Sequence, residues 1–239
     1  AILTMHRWEV LLPGVPITTN LGFLGLCNVV LLTIDDKYAI FDPGHYGNRE
    51  PLLSALSSKG LGVKDIDYVI LSHLHFDHAL NATLFPNAQV IVSRNEVEYA
   101  RTTSNDPYVV PYLIDLLKDR IRYVNDGDEF LGARFVLLPG HTGGTMGLLL
   151  EDKTLLVGDA IKYVSEALSG RATFTYYSNE LANESIMKAL GIARVIVPGH
   201  DMPFTINGKS IKPLTNEPFN FQLTLKGHLR ITLMSEHFY

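Results

Sequence analysis

The chain has one cysteine, one tryptophan, no excess of positive charge and no apolar run long enough for a membrane span. Each scarcity excludes something. With a single thiol, Cys27, no internal disulfide can form, so this is not a cysteine-stapled scaffold of the secreted kind. Cys27 lies in the apolar run Leu24–Leu32 and reads as a packing residue. The apolar stretch around Gly25–Ile34 falls well short of the ~20 residues a span needs and is followed at once by Asp35-Asp36. No basic, apolar and small-residue succession marks the N-terminal region, so the expectation is a cytoplasmic protein without a membrane partner. Twenty Lys and Arg stand against twenty-five Asp and Glu, a net charge of −5 with no long basic run. A phosphate-backbone binder is normally basic, which makes nucleic acid a disfavoured partner, though not an excluded one.

What is present is ordinary globular composition, 46% hydrophobic and 19% charged over 239 residues, which is incompatible with disorder as the main state. The expectation is a single domain over 1–239. Its chemistry is concentrated in Ser72–His78, which holds His73, His75, Asp77 and His78. Three imidazoles and a carboxylate crowded together are costly unless a cation lies among them, and both are good ligands for zinc and related divalent ions. The preceding Ile66–Leu71 is an apolar, β-branched run that reads as a buried strand, so the cluster leaves the C-terminal end of a core strand.

Further strands are read at Arg7–Leu12, at Cys27–Ile34 and Tyr38–Phe41 around a turn, and at Gln89–Val92. Helices are expected at Arg49–Ser58, stopped by Gly60, at Asp77–Leu84, and at Arg94–Ala100 and Pro111–Lys118. Between the last two, Thr102–Pro107 reads as free of ligand-type residues, either a lid or part of a plain helical cover over 94–120. From Ile121 the pattern turns β-like: Ile121–Val124, Phe130–Leu131, Arg134–Leu138, Met146–Glu151 and Thr154–Val157. A helix at Ser178–Leu190, stopped by Gly191, and a strand at Arg194–Val197 follow. The two halves are alike in outline. In the tail, Phe219, Phe221, Leu223 and Leu225, then Leu229, Ile231 and Leu233, alternate with polar residues around Lys226-Gly227-His228. That predicts a hairpin, closing a sheet edge or touching another subunit, and leaves a homodimer open.

Four more positions place an acid or imidazole on a glycine-containing turn after a strand: Asp42, His141, Asp159 and His200. Glycine allows the tight turn that lets a short side chain project from a strand end. Together with the first cluster they supply enough ligands for two metals sharing a bridging carboxylate, with open positions for water. The expected cofactors are two divalent metal ions, zinc by preference, with iron and manganese as alternatives.

The ordered set His73, His75, Asp77, His78, His141, Asp159 and His200 resembles that of the metallo-β-lactamase-fold hydrolases, and the resemblance runs from Cys27 to about Phe204. It implies an α+β fold, an αββα sandwich of two mixed β-sheets flanked by helices, with a dinuclear site at one edge. It implies that His73, His75 and His141 hold one metal, that Asp77, His78 and His200 hold the second, and that Asp159 bridges them. Asp42 is implied to support the ligands rather than to bind metal. A metal-bound hydroxide would attack the substrate, with Asp77 as catalytic residue orienting it or passing a proton to the leaving group.

Phe76, Ala79 and Asn81 around the cluster are similar to quorum-signal lactonases, and the apolar Leu21–Leu26 loop, with Phe23 and Leu24, is a candidate seat for an acyl chain. Those lactonases carry tyrosine three residues after the bridging Asp; here that position is Lys162, with Tyr163 next to it. Both are candidate substrate contacts, although a solvated lysine is the usual expectation. A lactone, ester or thioester of a small molecule is the favoured substrate. The alternatives are a phosphodiesterase or nuclease of the same fold and a mononuclear iron persulfide dioxygenase. His45, after the Asp42 turn, is read as a surface histidine.

Overall fold

A computed structural model describes residues 5–217 and 220–234. The first half builds β1 (His6–Leu12), a small ribbon of β2 (Thr18–Thr19) and β3 (Gly22–Phe23), then β4 (Val29–Ile34), β5 (Lys37–Phe41), α1 (Arg49–Ser57), β6 (Tyr68–Ile70), α2 (Phe76–Ala79), β7 (Gln89–Ser93), α3 (Arg94–Thr102), α4 (Tyr112–Leu117) and β8 (Ile121–Val124). The second half runs through β9 (Glu129–Phe130), β10 (Ala133–Leu137), β11 (Met146–Leu149), β12 (Thr154–Gly158), α5 (Val164–Ser169), α6 (Asn179–Ile192), β13 (Val195–Pro198), β14 (Phe204–Asn207) and β15 (Ser210–Pro213).

Two mixed sheets result, ordered β1-β4-β5-β6-β7-β8 and β15-β14-β13-β12-β11-β10-β9. β5 to β8 run parallel, as do β12 and β13, and the other pairs are antiparallel. Alternation along β4 shows why the strands are apolar throughout. Val30, Leu32 and Ile34 face the second sheet together with Phe41, Ile70 and Ile91, while Val29 and Leu31 join the layer with Leu52, Leu56, Val97 and Leu113 of the helices. A third layer packs Leu155, Val157 and Ile196 against Val164, Ile186 and Ala189 of α5 and α6. Strands buried on both faces leave no polar side to alternate with. The layers are therefore helix, sheet, sheet, helix, the expected αββα sandwich.

Several local expectations change. Asp77–Leu84 divides into the one-turn α2 and a 3-10 segment at Leu80–Leu84. Ser178 caps α6, its hydroxyl accepting from the Leu181 amide at 3.2 Å, but Gly191 does not stop that helix. The helix ends at Ile192, and Ala193 turns extended to enter β13. The tail forms no strand over 220–234; Phe221, Leu223, Leu225, Leu229, Ile231 and Leu233 are exposed. Phe219 lies outside the described residues. Alternation yields a strand only where a neighbouring strand pairs with it, and over 220–234 the tail pairs with neither sheet. No helix among the described residues is long and apolar enough to cross a membrane.

Candidate metal centre

Strand ends from both sheets deliver the acids and imidazoles to one edge of the sandwich. Asp42 follows β5, the His73–His78 stretch follows β6, His141 follows β10, Asp159 follows β12 and His200 follows β13. None of His73, His75, Asp77, His78, His141, Asp159 or His200 is more than 6% exposed. Close approach of the sheets there requires a bare backbone: Gly158 sits at φ +53, and a Cβ on it would collide with the Ser72 side chain.

Two groups of candidate ligand atoms form within this cluster, His73–His75–His141 and Asp77–His78–His200, each with its atoms inside 4.8 Å of one another. Asp159 lies between them. Its Oδ2 is 3.3 Å from His141 Nε2, and its Oδ1 is 3.1 Å from His78 Nε2 and 3.3 Å from His200 Nε2. Asp77 Oδ2 is 3.3 Å from both His78 Nε2 and His200 Nε2. A third grouping, Asp42–His73–His78, is explained by a direct hydrogen bond, His78 Nδ1 to Asp42 Oδ2 at 2.7 Å.

The outer nitrogens fix how the inner ones face. His75 Nε2 meets Asp106 Oδ2 at 2.7 Å and His200 Nδ1 meets the Leu26 carbonyl at 2.9 Å; both partners accept only, so each ring donates there. Asp42 holds two rings at once: Oδ1 accepts from the Ser72 amide at 2.8 Å, and Oδ2 accepts from Ser72 Oγ at 2.6 Å and from His78. Ser72 Oγ, its proton given to Asp42, accepts from His73 Nδ1 at 2.8 Å. In the neutral rings of His73, His75, His78 and His200 the inner nitrogens are thus lone pairs. Inner nitrogens come close to each other, His75 Nδ1 to His141 Nε2 at 3.0 Å and His78 Nε2 to His200 Nε2 at 3.2 Å. His73 Nε2, Asp77 Oδ2 and Asp159 Oδ1 are buried without a hydrogen-bond partner. Lone pairs and orphaned carboxylate oxygens aimed at one another fit divalent cations, and the imidazole and carboxylate set suits zinc, iron or manganese.

The electrostatics agree. Burial, reinforced by neighbouring imidazoles, holds His73 well below its ordinary value; burial likewise lowers His141, against the Asp159 charge. Burial would raise Asp77 and Asp159, but His78 and His200 beside them hold both well below the usual carboxylate range. Burial would lower His78 and His200, and Asp159 and Asp77 overcome it, raising His78 strongly and His200 to about 9. Protons on these two rings or a divalent cation are the two ways to balance the buried carboxylates.

Four residues carry more than the sequence suggested. Glu96 of α3 is buried and accepts from the Leu74 amide (2.9 Å), Thr142 Oγ1 (2.7 Å) and the Gly144 amide (2.9 Å), so it ties the His75 loop to the His141 loop. Burial raises its carboxyl, and those hydrogen bonds oppose the shift. Asp106 belongs to the segment read as free of ligand-type residues, yet it supports His75. Lys162 is 9% exposed rather than solvated; its Nζ donates to the Phe174 carbonyl at 2.9 Å, and no carboxylate among the described residues pairs with it. His45 is half-buried, not a surface group, with Nδ1 accepting from the Gly47 amide at 3.0 Å and its ring edge-on to Phe76. Tyr163 is half-buried, and burial together with the Asp159 charge keeps its phenol protonated. At the rim, Phe23 sits edge-on to His200 at 5.3 Å, and Leu24 is partly exposed. On the other side Tyr108 and Tyr176 meet the His75 ring.

A family model described as the metallo-beta-lactamase superfamily matches residues 22–200. Among curated proteins, the chain is 29% identical over 163 residues to metallo-beta-lactamase domain-containing protein 1 of Xenopus laevis, covering 66% of this chain and 64% of that protein. It is 30% identical over 165 residues to an N-acyl homoserine lactonase of Bacillus cereus, covering 64% and 63%. The matches therefore span just under two thirds of these relatives' own lengths. Among solved structures, a dizinc quorum-quenching lactonase in complex with a product superposes with a TM-score of 0.65 at 20% identity, covering 81% of this chain and 80% of that one. An N-acyl homoserine lactone hydrolase with its product at the catalytic metal centre gives 0.60 at 22% identity, covering 82% and 92%. At these identities the structural likeness speaks for the fold alone.

Proposed function

The chain belongs to the metallo-beta-lactamase superfamily, and on that premise we propose that it is a dinuclear metal-dependent hydrolase of a lactone, ester or thioester carried by a small apolar molecule. The observation that carries this reading is the position of Asp159, one oxygen toward each of two groups of candidate ligands. In it, His73, His75 and His141 would hold one ion, Asp77, His78 and His200 would hold the other, and Asp159 would serve both. When bound there, two divalent cations supply a water of lowered pKa and stabilisation for the charge that develops on the substrate oxygen.

The chain's own residues do the rest. Asp77, whose Oδ2 faces the second group, takes the nucleophile's proton on its other carboxylate oxygen and returns it to the leaving group. Lys162, with one of its protons on Phe174, has donors left for a substrate oxygen, and Tyr163 offers a phenol beside it. Phe23 and Leu24 on one side, with Tyr108 and Tyr176 on the other, make an apolar mouth that orients an acyl group and excludes water. The lactonase activity named for a curated relative supports this substrate class. The net charge of −5 and the lack of a basic run disfavour a nuclease.

Asp77→Asn provides the test. With metal content kept at the wild-type level, turnover of a lactone or thioester is expected to fall by about 10²–10⁴-fold, the usual worth of general acid–base catalysis. Unchanged turnover at full occupancy removes Asp77 from the chemistry.

A further inference from the structure

The loop between α3 and α4 delivers a carboxylate to the back of one imidazole. Asp106 has a side chain fully shielded from solvent. Its Oδ2 accepts from His75 Nε2 and from the Tyr99 hydroxyl, both at 2.7 Å, and its Oδ1 accepts from the Tyr108 amide at 3.0 Å. The backbone around it is paired to the histidine-rich stretch: the Phe76 amide donates to the Tyr108 carbonyl at 2.9 Å, and the Val110 amide donates to the Leu74 carbonyl at 3.0 Å. His75 and Val109 face each other as an antiparallel bridge. This loop is a strap laid along residues 74–76, not a free lid.

We propose that Asp106 is a positioning residue that sets the cation affinity of the His73–His75–His141 group independently of the Asp77–His78–His200 group. The inference rests on the two-ion reading above. Within its group, His75 is the imidazole with a carboxylate directly behind it. His73 leans on the Ser72 hydroxyl, and His141 Nδ1 has no hydrogen-bond partner among the described residues. A carboxylate acceptor fixes the proton on His75 Nε2, leaves Nδ1 as the lone pair facing the group, and makes that lone pair a stronger donor. The Tyr99 hydroxyl, from one turn beyond Glu96 on α3, orients the carboxylate. The second group has a carboxylate of its own, Asp42 behind His78, so it does not depend on Asp106. A segment with no ligand in it thereby tunes one of two adjoining sites.

The experiment titrates the chelator-stripped full chain with Zn²⁺ and with Co²⁺, reading ions per chain, the affinity of each step and the cobalt visible spectrum. Wild type is expected to take two ions. Asp106→Ala is expected to lose about 10–100-fold in affinity for one ion, the range for removing such a supporting partner, with the other step unchanged. Asp106→Asn keeps its oxygen on the Tyr108 amide and turns an NH2 toward His75 Nε2, which pushes that ring's proton to Nδ1, so the loss is expected to be at least as large; being nearly isosteric, it carries the comparison if the alanine variant does not fold. Tyr99→Phe keeps the carboxylate and loses less. A merely structural role would weaken both steps together, or lower the stability of the stripped protein with both affinities kept, and either result overturns the proposal. Two ions in wild type with unaltered steps in both Asp106 variants defeats this inference alone. A wild type that does not take two ions defeats the two-ion reading and this inference with it.

Discussion

Replacing Asp42 by Asn probes how protons are distributed behind the candidate ligands. The position has φ +53, a left-handed conformation that Asn tolerates well, so the backbone is not the variable. Asn keeps one oxygen for the Ser72 amide, 2.8 Å away, and turns an amide NH2 toward Ser72 Oγ and His78 Nδ1, which lie 2.6 and 2.7 Å from the replaced oxygen. Facing a donor, His78 Nδ1 must become an acceptor, which moves that ring's proton to Nε2. Ser72 Oγ, now accepting from Asn, turns its proton toward His73 Nδ1 at 2.8 Å, and that ring's proton moves to Nε2 as well. One nitrogen in each group then carries hydrogen where a cation needs a lone pair. The expected loss is about 10–100-fold in affinity for each ion, or about 1.4–2.8 kcal/mol per ion. In the stripped protein His78 carries both ring protons, so its Nδ1 donor faces the Asn NH2 and stability should fall by about 1–3 kcal/mol at neutral pH. Competition with a chromogenic chelator measures the first quantity and urea unfolding the second. Wild-type affinity for both ions, or a loss explained wholly by unfolding of the stripped protein, would refute the reasoning.

Stripped of metal, the protein should lose stability as pH rises. His200 is raised from 6.5 to about 9 by Asp159 and Asp77 against the effect of burial, so the stabilisation it brings is complete below 6.5 and fades as pH rises through about 9. The midpoint of thermal unfolding, followed against pH with chelator present, should fall over that window; a rise there would contradict the assignment, and metal-loaded protein, whose imidazoles bind unprotonated, should not share the fall. Gly144→Ala should destabilise by about 1–3 kcal/mol or more, because a Cβ there would collide with the Asn95–Glu96 backbone at the start of α3. A wild-type guanidinium midpoint for that variant would mean that α3 does not press on the His141 loop.

The architecture was legible because its strands are buried on both faces and its helices carry apolar stripes. Both patterns survive in sequence whatever the partner. Convergence of the acids and imidazoles was legible too, since His73–His78 leaves the end of a core strand and Asp42, His141, Asp159 and His200 each stand on a glycine-containing turn after one. What escaped was the support behind them. Glu96 and Asp106 occupy unremarkable helix and loop positions, and their importance comes from donors that lie 22 to 48 residues away for Glu96 and 31 residues away for His75 with Asp106. Local pattern carries no trace of such pairings. Lys162 was misjudged because lysine is usually solvated; here the chain folds back at Phe174 and covers it. The tail was misjudged because its alternation reads as a strand, while over 220–234 it pairs with no strand of either sheet.

The number and identity of metal ions per chain, measured on protein purified without added metal and paired with hydrolysis of a lactone, a thioester and a phosphodiester, decide whether this is a two-metal hydrolase. Two divalent ions per chain, with the lactone or thioester turned over and activity lost on chelation, is the result this account predicts. One iron per chain with none of the three hydrolysed would contradict it and point to the mononuclear iron alternative, a persulfide dioxygenase holding its metal by two histidines and an aspartate.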